Sequence, residues 1–115
     1  MSDGPIDLAV FRDLQDAMGA DFVDELVTTF LDEAAGMRSD MKSAAAQANA
    51  DAFRRAAHSI KSNANVFGAS DLAEHARRLE LSEVPQTEAA ADTVLAVFDT
   101  EYNRATAALR ELLNG

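Results

Sequence analysis

The sequence predicts an all-α fold, and three observations carry that expectation. Alanine is abundant while β-branched residues are sparse. No stretch alternates apolar and polar residues as a half-buried strand does. The only prolines, Pro5 and Pro85, fall at or between helix ends, which leaves long runs free of the residue that breaks a helix interior.

Asp7 to Met18 reads as a short first helix, with Asp7 as its cap, Leu8, Phe11 and Leu14 on its apolar side and Gly19 ending it. Asp21 begins a long helix whose apolar positions Val23, Leu26, Phe30, Met37, Met41, Ala44 and Ala48 keep a three-four spacing down one side. Gly36 lies inside this run, costs roughly 1 kcal/mol relative to alanine, and is expected to produce at most a bend. Met37 and Met41 read as core filling. Asn49 or Asp51 caps the third helix, whose stripe is Phe53, Ala57, Ile60, Ala64 and Phe67 and which stops near Gly68. Ser70 is the expected N-cap of the fourth, with Leu72, Ala76 and Leu79 facing inward. The segment from Ser82 to Gln86 is the clearest break in the chain. Thr87 then caps a last long helix carrying Ala91, Val94, Phe98, Tyr102, Ala105, Leu109 and Leu112, and Asn114-Gly115 ends it.

Four amphipathic helices with short connections pack best as an antiparallel four-helix bundle, with the short N-terminal helix as a lid across one end. Residues 1–115 are expected to form a single domain, long enough for its own core. There is no cysteine, so neither disulfides nor a thiolate metal site is available. The longest apolar runs fall far short of the roughly 20 residues that span a bilayer, and the N-terminus lacks the basic start and apolar segment of a secretory signal. The expectation is a soluble, cytoplasmic protein without a membrane role. Its Met1 start and capped end suggest a free-standing chain.

The formal charge of −10 argues against nucleic-acid binding, which needs a cationic footprint. Five of the ten Lys and Arg residues nevertheless lie between positions 54 and 78. A basic island on an acidic body suits a compact anionic patch on another protein.

That island surrounds His58, which on a helix points nearly opposite to the apolar stripe. Its outward neighbours are Arg54, Arg55, Lys61, Ser62 and Asn65. An exposed imidazole is ordinarily neutral near neutral pH, so one ring nitrogen is free to attack phosphorus. Lys61, three residues on, adjoins it on the helix surface and is placed to neutralise phosphoryl oxygens. Ser62 and Asn65 are small and keep the approach open. No phosphate-cradling glycine loop and no convergent carboxylates accompany His58, so such a histidine acts as a relay whose partner supplies metal and acid–base groups. His75 sits at the edge of an apolar stripe and reads as a boundary histidine. With two histidines and scattered carboxylates, no metal site is expected.

The run Ala57-His58-Ser-Ile-Lys61-Ser62…Gly68 resembles the signature of histidine-containing phosphotransfer (HPt) domains: histidine, an aliphatic residue two later, lysine three later, a small residue four later, glycine ten later. Leu79-Glu80 in the next helix matches another common feature of that family. One departure is Ser62, where the family usually carries glycine. The resemblance implies a helical bundle that passes a phosphoryl group between His58 and the aspartates of response-regulator receiver domains, downstream of a hybrid histidine kinase. It implies that His58 is the phospho-acceptor and Lys61 the charge-stabilising neighbour. The receiver then docks over small and apolar groups, with Arg54, Arg55, Ser62 and Asn65 as contacts, and brings Mg²⁺ and most of the catalysis; the chain itself needs no cofactor. Two alternatives are the dimerisation and phospho-acceptor segment of a histidine kinase, which needs a second chain, and a helical adaptor in which His58 is incidental. A closed set of helices without a nucleotide motif favours a monomeric relay.

Overall fold

A computed structural model describes residues 5–114 of the chain. Gly115, the expected last helix terminator, lies outside the described residues, as do residues 1–4. The elements are α1 (Leu8–Met18), α2 (Ala20–Ala46), α3 (Ala50–Val66), α4 (Ser70–Leu81) and α5 (Glu88–Asn114), and among the described residues there is no strand. α2 packs on α3 and α5, α4 packs on the same two helices, and α1 lies against α2 and α3.

The helix ends follow from local chemistry. The Asp7 carboxylate accepts from the backbone N–H groups of Ala9 and Val10, Asn49 accepts from Ala52, and the Thr87 hydroxyl accepts from Ala90. Each satisfies an N–H that the first turn leaves without a helical partner. Between the two caps considered for α3, Asn49 is therefore the one used. Ser70 is not the cap of α4. It is the first helical residue, and Ala69 holds the cap position without a side-chain bond. The reason is the tight closure before it: the Ala69 N–H donates to the Ala64 carbonyl at 2.8 Å, leaving only Phe67, Gly68 and Ala69 between α3 and α4. α2 likewise begins at Ala20, directly after the Gly19 that ends α1, and continues through Gly36.

The core collects Val23, Val27, Phe30 and Met41 from α2, Phe53, Ile60 and Ala64 from α3, Leu72 and Ala76 from α4, and Leu95, Phe98 and Leu109 from α5. Each large side chain here contributes roughly 1.5–3 kcal/mol relative to exposure. The expected stripes are buried or half-buried with one exception, and they are too narrow. Val27, Ala34 and Leu95 are fully buried as well, because α2 and α5 each pack against at least two other helices and need a wider apolar arc. The exception is Ala48, expected on the inner side of α2. It is exposed and lies past the helix end with φ 52°.

Ala48 and Gly68 (φ 79°) occupy equivalent places. In both, the next N–H reaches back across the left-handed residue: Asn49 to Ala44 and Ala69 to Ala64, each at 2.8 Å. Gly68 carries a further constraint. Its carbonyl accepts from the Asp7 N–H at 2.8 Å, and a methyl group on it would lie 2.8 Å from the Asp7 carbonyl oxygen and 3.0 Å from Val10 Cβ. Gly68 thus ends α3 and pins α1 to it.

The two turns respond oppositely to exchange of alanine and glycine. Gly68→Ala is expected to lower stability by more than about 2 kcal/mol, since the left-handed penalty of about 1–2 kcal/mol adds to the clash with α1. Ala48→Gly is expected to raise it by up to about 1 kcal/mol by removing that penalty, offset by glycine's larger unfolded-state freedom. Urea melts of both variants check this; a stabilised Gly68→Ala protein would refute the account of the turn.

Candidate functional site

His58 lies near the middle of α3, with Ala57 and Ile60 turned into the core on either side of it. The helical register sends its side chain outward, 57 % exposed, while the backbone that carries it stays anchored. Among the expected neighbours, Arg54, Arg55, Ser62 and Asn65 are exposed along the same helix. Arg54 enters no ion pair among the described residues, and the Arg55 side chain donates to the Asp51 carbonyl. Arg55 and Ser59 line a groove between α2 and α3 that also includes Asp40, Ser43 and Gln47.

Lys61 departs from the expected open position. It leans toward α4, is only 24 % exposed, and its Nζ lies 2.9 Å from Glu80 Oε2. The same carboxylate meets His58: Nδ1 lies 3.1 Å from Oε1 and 3.2 Å from Oε2. Glu80 is 22 % exposed and bridges both side chains. The sequence pattern gives no converging carboxylate at His58, and here one converges. The omission has a simple cause, since residues 22 positions apart meet only once the turn between α3 and α4 is fixed. Leu79-Glu80, noted as a matching feature, is the one signal in the sequence that pointed to it.

The contact decides the chemistry of the ring. A carboxylate accepts, so Nδ1 carries the proton that it donates to Glu80. In a neutral imidazole the lone pair then belongs to Nε2, the nitrogen on the far side of the ring from Glu80. The arrangement is an exposed nucleophile, oriented by one carboxylate, with an ammonium one helical turn away.

The remaining charges of the basic island are partly spent. Arg77 and Arg78 both reach Glu74, at 3.4 and 3.5 Å, and such exposed pairs contribute little. His75 is half-buried in an apolar groove between α4 and α5, beside Leu79, Val94, Val97 and Phe98. Among the described residues no three of the residue types that ligate metals come together. No helix among them is long and apolar enough to cross a membrane.

Compared with known proteins, the chain matches a family model described as the Hpt domain over residues 25–114. The chain belongs to the Hpt domain family. Hpt domains serve phosphorelays as histidine phosphotransfer carriers rather than as catalysts, and they interact with receiver and kinase components. No curated protein and no solved structure matches the chain closely enough to count as a relative. The family match begins inside α2, so α1 lies outside it and is tied to the Hpt region through Asp7 and Gly68.

Electrostatics make the site measurable without a partner. The Lys61 ammonium, followed by the His58 bond, holds the Glu80 carboxyl below its ordinary value of 4.5, against an opposing desolvation effect. A depressed carboxylate contributes stability above its unfolded value and loses it as pH falls through the folded one. The difference in melting temperature between wild type and Glu80→Gln should therefore hold near pH 7 and close as pH drops below about 4.5. A difference that persists unchanged to pH 3, followed by circular dichroism, would show that the pairing is not ionic.

Proposed function

We propose that His58 is the phospho-acceptor of this Hpt domain and that Nε2 is the atom that takes the phosphoryl group. The observation that carries the reading is the Glu80 carboxylate on Nδ1, which leaves the Nε2 lone pair directed away from the protein. The donor is an aspartyl phosphate on a response-regulator receiver domain, itself supplied by a hybrid histidine kinase, and the group can move in either direction. In the forward step Nε2 attacks phosphorus in line, and the P–O bond breaks with its electron pair leaving on the aspartate. Positioning and charge neutralisation are the main demands of such a transfer. Mg²⁺ and most of the catalysis belong to the receiver; Lys61 supplies the positive charge on this side.

The receiver docks on the outward face of α3. Ser62 and Asn65 continue from His58 as small polar groups, and the exposed side chain of Val66, with Val10 on α1, adds apolar surface toward the Gly68 end. Arg54 and Arg55 stand at the rim. Ser62 replaces the small glycine usual in the family, and its exposed hydroxymethyl group leaves the approach open. We take residues 1–115 as one cytoplasmic, monomeric domain. Its α2, α3, α4 and α5 form an antiparallel four-helix bundle, a reading supported by two packing neighbours for each of these helices, with α1 across one end.

The test is transfer from a panel of radiolabelled phospho-receivers to wild type, His58→Gln and Lys61→Ala. Acid-labile, alkali-stable label is expected on the wild type and absent from His58→Gln. Lys61→Ala is expected to slow transfer by roughly 10- to 100-fold, the low end of the cost of removing a charge donor at a developing anion, because the site is open to water. Label on His58→Gln, or none on folded wild type from any receiver, would overturn the assignment.

A further inference from the structure

We infer that Glu80 exchanges one cation for another during transfer: it holds the Lys61 ammonium while His58 is free and the positively charged His58 ring once the phosphoryl group has arrived, as Lys61 crosses to the phosphoryl oxygens. The inference rests on the phospho-acceptor reading above. It starts from where Lys61 is. Its Nζ sits on Glu80, at the carboxylate that also meets Nδ1, and so on the side of the ring away from the nucleophilic nitrogen. In that position its direct contact is with the carboxylate and not with a group on Nε2.

The charge balance of the step requires a change. The ring enters neutral, with its proton on Nδ1. The Nε2 lone pair becomes the N–P bond, the acyl phosphate's P–O electrons leave on the donor carboxylate, and no proton has moved. The product is a phosphoimidazolium, cationic at Nδ1–H, bearing an anionic phosphoryl group. If Lys61 stayed in place, one carboxylate would hold two cations while the phosphoryl group had none from this chain. When Lys61 crosses, each anion keeps a cation. The lysine stem is long and flexible, with three ammonium donors, which suits it to changing partners.

Among the described residues no other group near the site takes over either task. On α3, Arg54 lies one turn before His58 on the rim, with no ion pair among the described residues. On α4, Arg77 lies one turn before Glu80 and is engaged by Glu74. From α2, Asp40 lines the opposite flank of α3 with Arg55 and Ser59. From α5, Thr93, Val94, Val97 and Phe98 line the groove with α4, and none of them is charged. On α1, Asp7 lies at the far end of α3, against Gly68.

The exchange has a functional consequence. A phosphoryl group leaves a protonated ring more readily, because the departing imidazole is neutral instead of anionic. By holding the Nδ1 proton, Glu80 keeps the phosphohistidine in the form that returns its phosphoryl group. Glu80 is a positioning residue here, acting through the ring and Lys61.

The experiment uses phosphoramidate, a small phosphoryl donor that needs no receiver, on wild type and Glu80→Gln. ³¹P and ¹H–¹⁵N NMR then follow the phosphorylated ring as pH is raised. Phosphorylation at Nε2 is expected in the wild type, with the Nδ1 proton retained about one pH unit higher than in Glu80→Gln, a tenfold difference in protonation ratio. The Lys61 ¹⁵Nζ signal is expected to move on phosphorylation of the wild type. Glu80→Gln should shift that signal in the free protein and leave it unshifted in the phosphorylated one. Identical ring midpoints in the two proteins, a Lys61 signal blind to phosphorylation, or no phosphoryl group on Nε2 would each overturn the exchange. Exchange seen with phosphoramidate, alongside no transfer from any receiver, would instead bring down the relay reading and leave the exchange standing.

Discussion

The left-handed turn at Gly68 sets more of this structure than any other single feature. It ends α3 and starts α4 with only three residues between them, and its carbonyl holds the first helix through Asp7. A turn that short leaves little freedom in the register of the α3–α4 hairpin. His58 and Glu80 stand eleven residues either side of Ala69, so once the turn is closed, the antiparallel pairing of the two helices brings them face to face. The site is a consequence of hairpin geometry. It does not depend on a loop that must be ordered separately, and helix-borne groups are held more firmly than loop-borne ones.

On the proposed reading, the same register explains how a protein with a formal charge of −10 presents an anion-receiving site. Long-range repulsion from the acidic body is screened beyond about 8–10 Å at ordinary ionic strength, so what an incoming phosphoryl group meets is the local set: Arg54, Arg55 and Lys61 on α3. Glu80 adds a negative charge to that set, which looks counterproductive until its contacts are counted. It fixes the ring tautomer and holds Lys61 close to the ring, and doing both at once needs a carboxylate. An amide there could accept from Nδ1 but could not hold the ammonium as a salt bridge. The contact between α2 and α5 is stabilised by a different use of charge. Arg38 of α2 meets Asp99 of α5 in a two-point contact at 2.5 and 2.6 Å, raising the Arg38 pKa mainly through that hydrogen bond, and Lys42 lies 3.1 Å from Asp92. Those pairs fix the two 27-residue helices against each other.

Much of this was legible in the residues. Helix number, most helix caps and the outward direction of His58 follow from short-range rules of spacing, capping and glycine placement, which is why Asp7, Asn49, Thr87 and Gly68 were readable. The failures share a cause in tertiary context. Ser70 has the chemistry of a cap, but the closure behind it consumes the position. Ala48 continues the apolar spacing of α2 on paper, yet the chain has already turned. Val27 and Leu95 are buried because of which helices lie beside them, a fact no single helix contains. Glu80 is the most instructive case. Helical periodicity places it on the polar side of α4, where an unpaired carboxylate is unremarkable, and only its distance across the turn makes it part of the site.

Lys61 shows why sequence spacing and structure answer different questions. Three residues after His58, it is near the imidazole in any helix, and spacing alone assigns it to the phosphoryl group. The structure gives it to Glu80, at 2.9 Å. The two statements are compatible if they describe two states of one site, since a surface ion pair between a flexible lysine and a partly exposed carboxylate is weak enough to exchange. A lysine locked in a buried pair would resist release, and one free in water would pay more entropy to be ordered at the moment of transfer. Held loosely on Glu80, Lys61 is already confined to the neighbourhood in which the proposed transfer needs its charge, and little must be given up for it to move.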